Sequence, residues 1–182
     1  MEKNKVNKMV ELINNSLFRI LSSMIAIRDI LVNLNKIVEE IGIQSGNVVL
    51  DYGCGLGSFS IPAAKIVGER GKVYALDIHP LAIKRTKKKA QKKGLTNMEF
   101  IHSDCDTSLN NESVDVVLFY DMLESLLTPQ KQLEELHRVL KSEGILCAKD
   151  MHSDDKILST ITGSNLFKLK AKGKKQFMFT KL

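Results

Sequence analysis

The stretch VVLDYGCGLGSFS, from Val48 to Ser60, places three glycines within five positions directly after an apolar run that ends in an aspartate. A glycine-rich turn between a strand and a helix lets a ligand approach the backbone, because no Cβ atoms stand in the way. Ligands of open α/β sheets bind at this carboxyl edge of the strands. The stretch therefore predicts a ligand site formed by the turn and the start of the following helix.

The spacing of the glycines limits the identity of this ligand. A dinucleotide-binding turn has the pattern G-x-G-x-x-G, and its third glycine would stand at position 58. Here that position is Ser58 and the third glycine is Gly57, which argues against a pyrophosphate ligand. Asp51 also puts a carboxylate where a diphosphate would be repelled and a cationic amino-acid group would be held. A nicotinamide-dependent oxidoreductase is therefore the disfavoured alternative.

Short β-branched segments alternate with helical segments from Asn47 onward. Such alternation predicts an α/β fold with a mostly parallel sheet, covered by helices on both faces. Pro129 marks the start of one helix, and Gly144 is expected to mark its end. The last two segments, on either side of Gly173, alternate in polarity and predict a terminal β-hairpin.

The N-terminal part of the chain follows a different pattern. Between residues 6 and 41 apolar side chains recur at steps of three and four, which predicts two helices or one long bent helix. We therefore divide the chain into a helical N-terminal cap at residues 1–45 and an α/β domain at residues 46–182. No transmembrane segment is expected, because Arg19 and Arg28 interrupt the best apolar candidate.

Composition is typical of a globular protein in a reducing compartment. Hydrophobic residues make up 43% of the chain and charged residues 26%, which suits a folded chain with a sizeable core. The three cysteines are an odd number without metal-like spacing. We therefore expect a cytoplasmic protein without a metal site, in which Cys54, Cys105 and Cys147 are small core residues.

The glycine-rich stretch resembles motif I of the class I S-adenosylmethionine-dependent methyltransferases. DYGCGLGSF carries that motif on Asp51, Gly53, Gly55 and Gly57. The resemblance covers roughly residues 43–152, includes HSDCD, VDVVLFYDMLE and LEELHRVLKSEGIL, and is strongest to the ubiquinone, menaquinone and arsenite methyltransferase-like group. It implies S-adenosylmethionine as cofactor and a Rossmann-like, mostly parallel seven-stranded sheet with an antiparallel C-terminal strand and a helical N-terminal extension.

The resemblance also implies which residues bind the cofactor. Asp77, which closes the second strand, matches the acidic residue that accepts hydrogen bonds from the ribose hydroxyls. Asp104 matches the residue that faces the adenine amino group, although Asp104 or Asp106 could instead cap a turn. Tyr120 is expected to border the donor methyl group and the acceptor pocket. The expected cofactor-binding residues are Asp51, Gly53, Cys54, Gly55, Gly57, Asp77, Ile78, Asp104, Cys105 and Tyr120.

The expected reaction is methyl transfer to a small-molecule acceptor by in-line SN2 displacement. A sulfonium methyl group is already activated, so the enzyme mainly has to align the acceptor and exclude water. An oxygen or carbon acceptor would also need a base, for which Asp121, Glu124 and His152 are the candidates. Asp121 equally suits a solvated turn, and His152 a surface position. The family often has a histidine where this sequence has Glu124 and Ser125, so no specific base is identified.

A basic run, KRTKKKAQKK at residues 84–93, leaves a second function open. It holds seven Lys or Arg residues, one more than the net charge of +6 for the whole chain. Such a run could bind nucleic acid, but aromatic residues make up only 5% of the chain and few could stack on bases. We expect a solvated helix face. An RNA methyltransferase, and a regulatory or non-catalytic protein that binds S-adenosylmethionine, are the alternatives.

Overall fold

The computed structural model describes residues 34–122, 129–149, 154–173 and 176–182, and these form a sheet with flanking helices. The helices are α1 (Leu34–Glu40), α2 (Ser60–Val67), α3 (Pro80–Lys92), α4 (Pro129–Val139) and α5 (Asp154–Gly163). The strands are β1 (Val48–Tyr52), β2 (Lys72–Asp77), β3 (Met98–His102), β4 (Val114–Tyr120), β5 (Leu140–Lys149), β6 (Phe167–Lys172) and β7 (Phe177–Lys181). The helices predicted before residue 34 lie outside the described residues.

The strands form one sheet in the order β3-β2-β1-β4-β5-β7-β6. Neighbours from β3 to β5 are parallel, whereas β7 runs antiparallel between β5 and β6. The predicted mostly parallel sheet and the terminal hairpin are both confirmed. The strand order reverses between β1 and β4, and such a switch point opens a crevice at the carboxyl ends of the strands.

Helices cover both faces of the sheet. Val38 of α1, Ile61 of α2 and Ala90 of α3 belong to one buried cluster, and Leu136 of α4 and Ile157 of α5 belong to the other. The central strands contribute to both clusters, because successive side chains of a strand point to opposite faces. No helix among the described residues is long and apolar enough to cross a membrane.

The three cysteines are buried and unpaired, as predicted. Cys54 lies in the turn after β1, Cys105 follows β3, and Cys147 lies within β5. Burial raises the pKa of each thiol, so all three stay protonated at neutral pH. Within the described ranges, no group of His, Cys, Asp or Glu side chains is arranged to hold a metal ion.

The predicted end of one helix is wrong. The helix that begins at Pro129 was expected to end at Gly144, but it ends at Val139, and Gly144 lies inside β5. Pairing between β4 and β5 shifts register before Ile145, so the bulged segment continues the strand and not the helix. A Cβ at Gly144 would lie 2.6 Å from Cδ1 of Leu140, which explains the glycine at this position.

The buried side chain of Asn97, just before β3, closes the end of α2. Its Nδ2 donates to the carbonyls of Ala64 and Gly68, each at 2.8 Å. Backbone amides reach the same two carbonyls, from Gly68 to Ala64 at 3.3 Å and from Gly71 to Gly68 at 3.1 Å. Asn97 therefore adds a second, shorter hydrogen bond to each carbonyl and joins the start of β3 to the end of α2.

Asn97→Ala should lower the free energy of unfolding by about 2 kcal/mol, because two hydrogen bonds of a buried side chain are lost. Urea denaturation would measure the change. Asn110→Ala is the matched control, since Asn110 is exposed. An equal loss for both variants would contradict this role of Asn97.

Candidate functional site

Backbone hydrogen bonds hold the turn after β1 against the end of β2. The amides of Gly53 and Cys54 both donate to the carbonyl of Leu76, each at 2.8 Å. The amide of Gly55 donates to Oδ2 of Asp77, also at 2.8 Å. These three amides fix the loop, because amides at a buried strand end need an acceptor. The prediction that a ligand approaches the backbone of this loop concerns its remaining surface.

The three glycines of the loop have different surroundings. All have positive φ: 85° at Gly53, 51° at Gly55 and 71° at Gly57. A Cβ at Gly53 would coincide with the side chain of Met122, and a Cβ at Gly57 would lie 2.7 Å from Cγ2 of Thr86. At Gly55, none of the described atoms lies within 4 Å of that position. Among the described residues, the backbone of Gly55 therefore borders space that a ligand can enter.

Helix α3 supports the glycine loop from the outer side. The hydroxyl of Thr86 donates to the carbonyl of Gly55 at 2.9 Å, and Nζ of Lys89 donates to the carbonyl of Leu56 at 3.3 Å. Lys89 belongs to the basic run, so one member of that run helps to shape the loop. The members that are exposed are Lys84, Lys87, Lys88, Lys92 and Lys93.

Asp51 lies beneath the loop and is only 2% exposed. The hydroxyl of Ser60, the first residue of α2, donates to its Oδ2. Burial raises the pKa of Asp51 to about 7; the Ser60 hydrogen bond opposes this rise, and the charge of Asp77 adds to it. Asp51 therefore changes its charge near neutral pH, and a cation nearby would favour its ionised form.

Asp77 ends β2 and accepts a backbone hydrogen bond on each carboxylate oxygen. Oδ2 accepts from the amide of Gly55 and Oδ1 from the amide of His79, both at 2.8 Å. Burial raises the pKa of Asp77, whereas the two hydrogen bonds oppose that rise. A carboxylate oxygen has two lone pairs, so Asp77 can accept further bonds from hydroxyl donors.

The next part of the expected site follows β2 and β3. Ile78 is half-buried, Asp104 is exposed, and Cys105 is buried. Oδ1 of Asp106 accepts the amide of Ser108 at 2.8 Å and so caps a turn, one of the alternatives that the sequence left open. Asp104 keeps an exposed carboxylate, and its contact with the adenine amino group stays a prediction.

Tyr120, at the end of β4, packs against the glycine loop and the terminal hairpin. Its ring centroid lies 4.3 Å from that of Phe59, and its hydroxyl donates to Oε1 of Gln176. Nε2 of Gln176 donates to the carbonyl of Ile37 in α1 at 3.2 Å. No local pattern pointed to Gln176, because it is 56 residues from Tyr120 and contacts it only in the folded chain.

Asp121 is the catalytic candidate that the structure describes. It is exposed, has φ of 54°, and its amide donates to the carbonyl of Lys149 at 2.9 Å. This turn places Asp121 at the same carboxyl edge of the sheet as the glycine loop. Glu124 and His152 lie outside the described residues.

Comparison with known proteins identifies relatives of this chain. The sequence profile of the family described as "Methyltransferase domain" matches residues 43–178. The demethylmenaquinone methyltransferase of Geobacillus stearothermophilus is 31% identical over 126 residues, which cover 69% of this chain and 54% of that protein. A second relative, from Sulfolobus acidocaldarius, carries the name "Probable cobalt-precorrin-6B C(15)-methyltransferase (decarboxylating)" and is 43% identical over 72 residues, 38% of each chain.

A solved structure supports the same relationship. The crystal structure of a SAM-dependent methyltransferase from Aquifex aeolicus superposes with a TM-score of 0.71 at 28% identity, covering 81% of this chain and 88% of that one. The predicted Rossmann-like class I methyltransferase fold is thereby confirmed. The chain spans about half the length, or less, of the two curated relatives.

Gly57→Ala should destabilise the protein more than Gly55→Ala, by about 1 to 2 kcal/mol. Both alanines are strained by positive φ, but only the one at position 57 meets a neighbour, Cγ2 of Thr86 at 2.7 Å. Thermal unfolding of both variants would measure the difference. A larger loss for Gly55→Ala would contradict the open space beside that residue.

Asp51→Asn should gain stability relative to the wild type as the pH rises from about 5 to about 8. The folded-state pKa of Asp51, about 7, lies above the ordinary value of 3.8, so unfolding releases a proton and wild-type stability falls with rising pH between these values. Asparagine does not titrate. Urea denaturation at several pH values would measure the difference, with Asp106→Asn as the exposed control. A constant difference would contradict the raised pKa.

Proposed function

Because this chain belongs to the class I S-adenosylmethionine-dependent methyltransferase family, we propose that it binds this cofactor at the glycine loop and methylates a small-molecule acceptor. The observation that carries the proposal is the open backbone of Gly55 beside the carboxylate of Asp77. The backbone at Gly55 fits the extended chain of a ligand, and the carboxylate at the strand end fits neighbouring hydroxyl groups of the same ligand.

The residues at this edge fit the cofactor in three parts. Asp77 would accept the ribose hydroxyls with the lone pairs that its backbone hydrogen bonds leave. Asp104, with Ile78 and Cys105 beside it in the neighbouring loops, would face the adenine. Asp51 beneath the loop would offset the positive charge of the amino-acid part. The loop residues themselves, Gly53, Cys54, Gly55 and Gly57, would form the floor of the site.

When bound, S-adenosylmethionine supplies a methyl group on a positively charged sulfur that is open to in-line attack. The chain has to position the acceptor and keep water away. The paired rings of Tyr120 and Phe59, together with Met122 over Gly53, provide an apolar surface for the second task. Asp121, exposed at the rim, would take the proton of an oxygen or carbon acceptor; Glu124 and His152 are the further candidates.

The proposed acceptor is a small molecule of unassigned type. The two curated relatives are named for different acceptors, a demethylmenaquinone and a cobalt-precorrin, so neither name is transferred to this chain. Aromatic residues make up only 5% of the chain, so few rings could stack on bases. This composition supports a small molecule over RNA.

The proposal is tested by calorimetric titration with S-adenosylhomocysteine, with NAD as the control ligand. Micromolar binding of the first and none of the second is expected. Release of S-adenosylhomocysteine from S-adenosylmethionine in the presence of quinol, amine, thiol and RNA acceptors then separates an enzyme from a regulatory protein. Binding of NAD alone would contradict the proposed cofactor, and turnover with RNA alone would contradict the proposed acceptor.

Asp77→Asn should weaken binding of S-adenosylhomocysteine at least about tenfold, because hydrogen bonds to a charged acceptor are the stronger kind. Asparagine keeps the shape of the side chain but also turns an amide group toward backbone amides that need an acceptor. Calorimetry would measure the change. Asp115→Asn is the control, since Asp115 lies near the opposite end of β4 and pairs with Lys141. Unchanged affinity would contradict the ribose assignment.

A further inference from the structure

Two buried side chains donate hydrogen bonds to the backbone carbonyl of Asp104. The hydroxyl of Tyr52 donates to it at 3.2 Å, and Nε2 of Gln132 donates to it at 3.3 Å. Tyr52 is 1% exposed and Gln132 is 5% exposed, whereas Asp104 itself is exposed. Both lone pairs of this carbonyl are therefore engaged by the protein interior, while the carboxylate of the same residue faces outward.

The oxygen of the Gln132 side-chain amide indicates that this residue is not present for stability alone. Its Oε1 is buried and has no hydrogen-bond partner among the described residues. A buried acceptor without a partner costs free energy that a leucine at this position of α4 would not cost. Side chains that lower the stability of the fold are expected mainly at functional sites.

The rest of the loop is anchored independently. The amide of Thr107 donates to Oε1 of Glu135 at 2.9 Å, and Nη1 of Arg138 donates to the carbonyl of Leu109 at 2.8 Å. Neither contact involves Gln132 or Tyr52. The hydrogen bonds of these two side chains to the Asp104 carbonyl act on the peptide group next to Asp104, whereas other residues hold the loop from Thr107 to Leu109.

We propose that Tyr52 and Gln132 are positioning residues that aim the carboxylate of Asp104 at the cofactor's base and so set its selectivity for adenine. The proposal rests on the proposed function, in which Asp104 faces the adenine. A hydrogen bond weakens steeply with distance and angle, so fixing the adjacent peptide plane fixes the direction from which the carboxylate accepts. The exocyclic amino group of adenine is a donor; the corresponding oxygen of hypoxanthine is an acceptor and would be repelled.

The experiment compares S-adenosylhomocysteine with S-inosylhomocysteine, which has an oxygen in place of the adenine amino group. Calorimetry gives the ratio of the two affinities for the wild type, Gln132→Leu and Tyr52→Phe. Gln130→Leu is the matched control, because Gln130 lies on the same helix but is exposed and contacts Glu134. The wild type and the control should prefer the adenine compound, and each of the two variants should lose about threefold to tenfold of that preference.

The outcomes separate this proposal from the proposed function. Failure of the wild type to bind S-adenosylhomocysteine would contradict both. Binding by the wild type with an unchanged affinity ratio in both variants would contradict the positioning role alone. Equal weakening of both ligands would show that the two side chains only stabilise the loop, and would also overturn it. If Gln132→Leu does not fold, Tyr52→Phe, which keeps the buried ring, decides the question.

Discussion

The hydrogen bond from the amide of Gly55 to the carboxylate of Asp77 joins the turn after β1 to the end of β2, and the candidate site depends on it. Together with the two amides on the carbonyl of Leu76, it draws the loop across the strand ends. The amides of Gly53, Cys54 and Gly55 all have acceptors within the protein, and none of the described atoms covers the Cα of Gly55. Asp77 thus fixes the loop, and in the proposed function the same carboxylate also binds the ribose hydroxyls.

Two buried carboxylates at adjacent strand ends give this edge its electrostatic character. Burial is the main cause that raises the pKa of Asp51 and of Asp77. The charge of Asp77 raises the pKa of Asp51 further. Such a pair is costly to ionise without a nearby cation. A positively charged ligand at this edge, as in the proposed function, would favour the ionised form of both carboxylates.

Several parts of the fold were predictable because they depend on local patterns. Alternating strands and helices, the helix behind Pro129 and the terminal hairpin follow from residues close together in the chain. The prediction that this helix ends at Gly144 was wrong because of a tertiary contact. Leu140 pairs with Val114 and Ile145 with Val116, with a bulge between the two pairs, and this pairing with β4 overrides the local tendency of Leu140 and Lys141 to continue the helix.

The sequence by itself predicted where the candidate site lies. Glycines that need positive φ, and aspartates that end strands, are recognisable locally, and parallel strands bring their carboxyl ends to one edge. Only the tertiary structure decided which loop amides are consumed within the protein, why the pKa of Asp51 is raised, and which buried partners support Asp104 and Tyr120. Those partners are Tyr52, Gln132 and Gln176, and they lie 28 to 56 residues away from the groups that they contact. Burial and contact at such separations arise only when the chain has folded, so no local pattern encodes them.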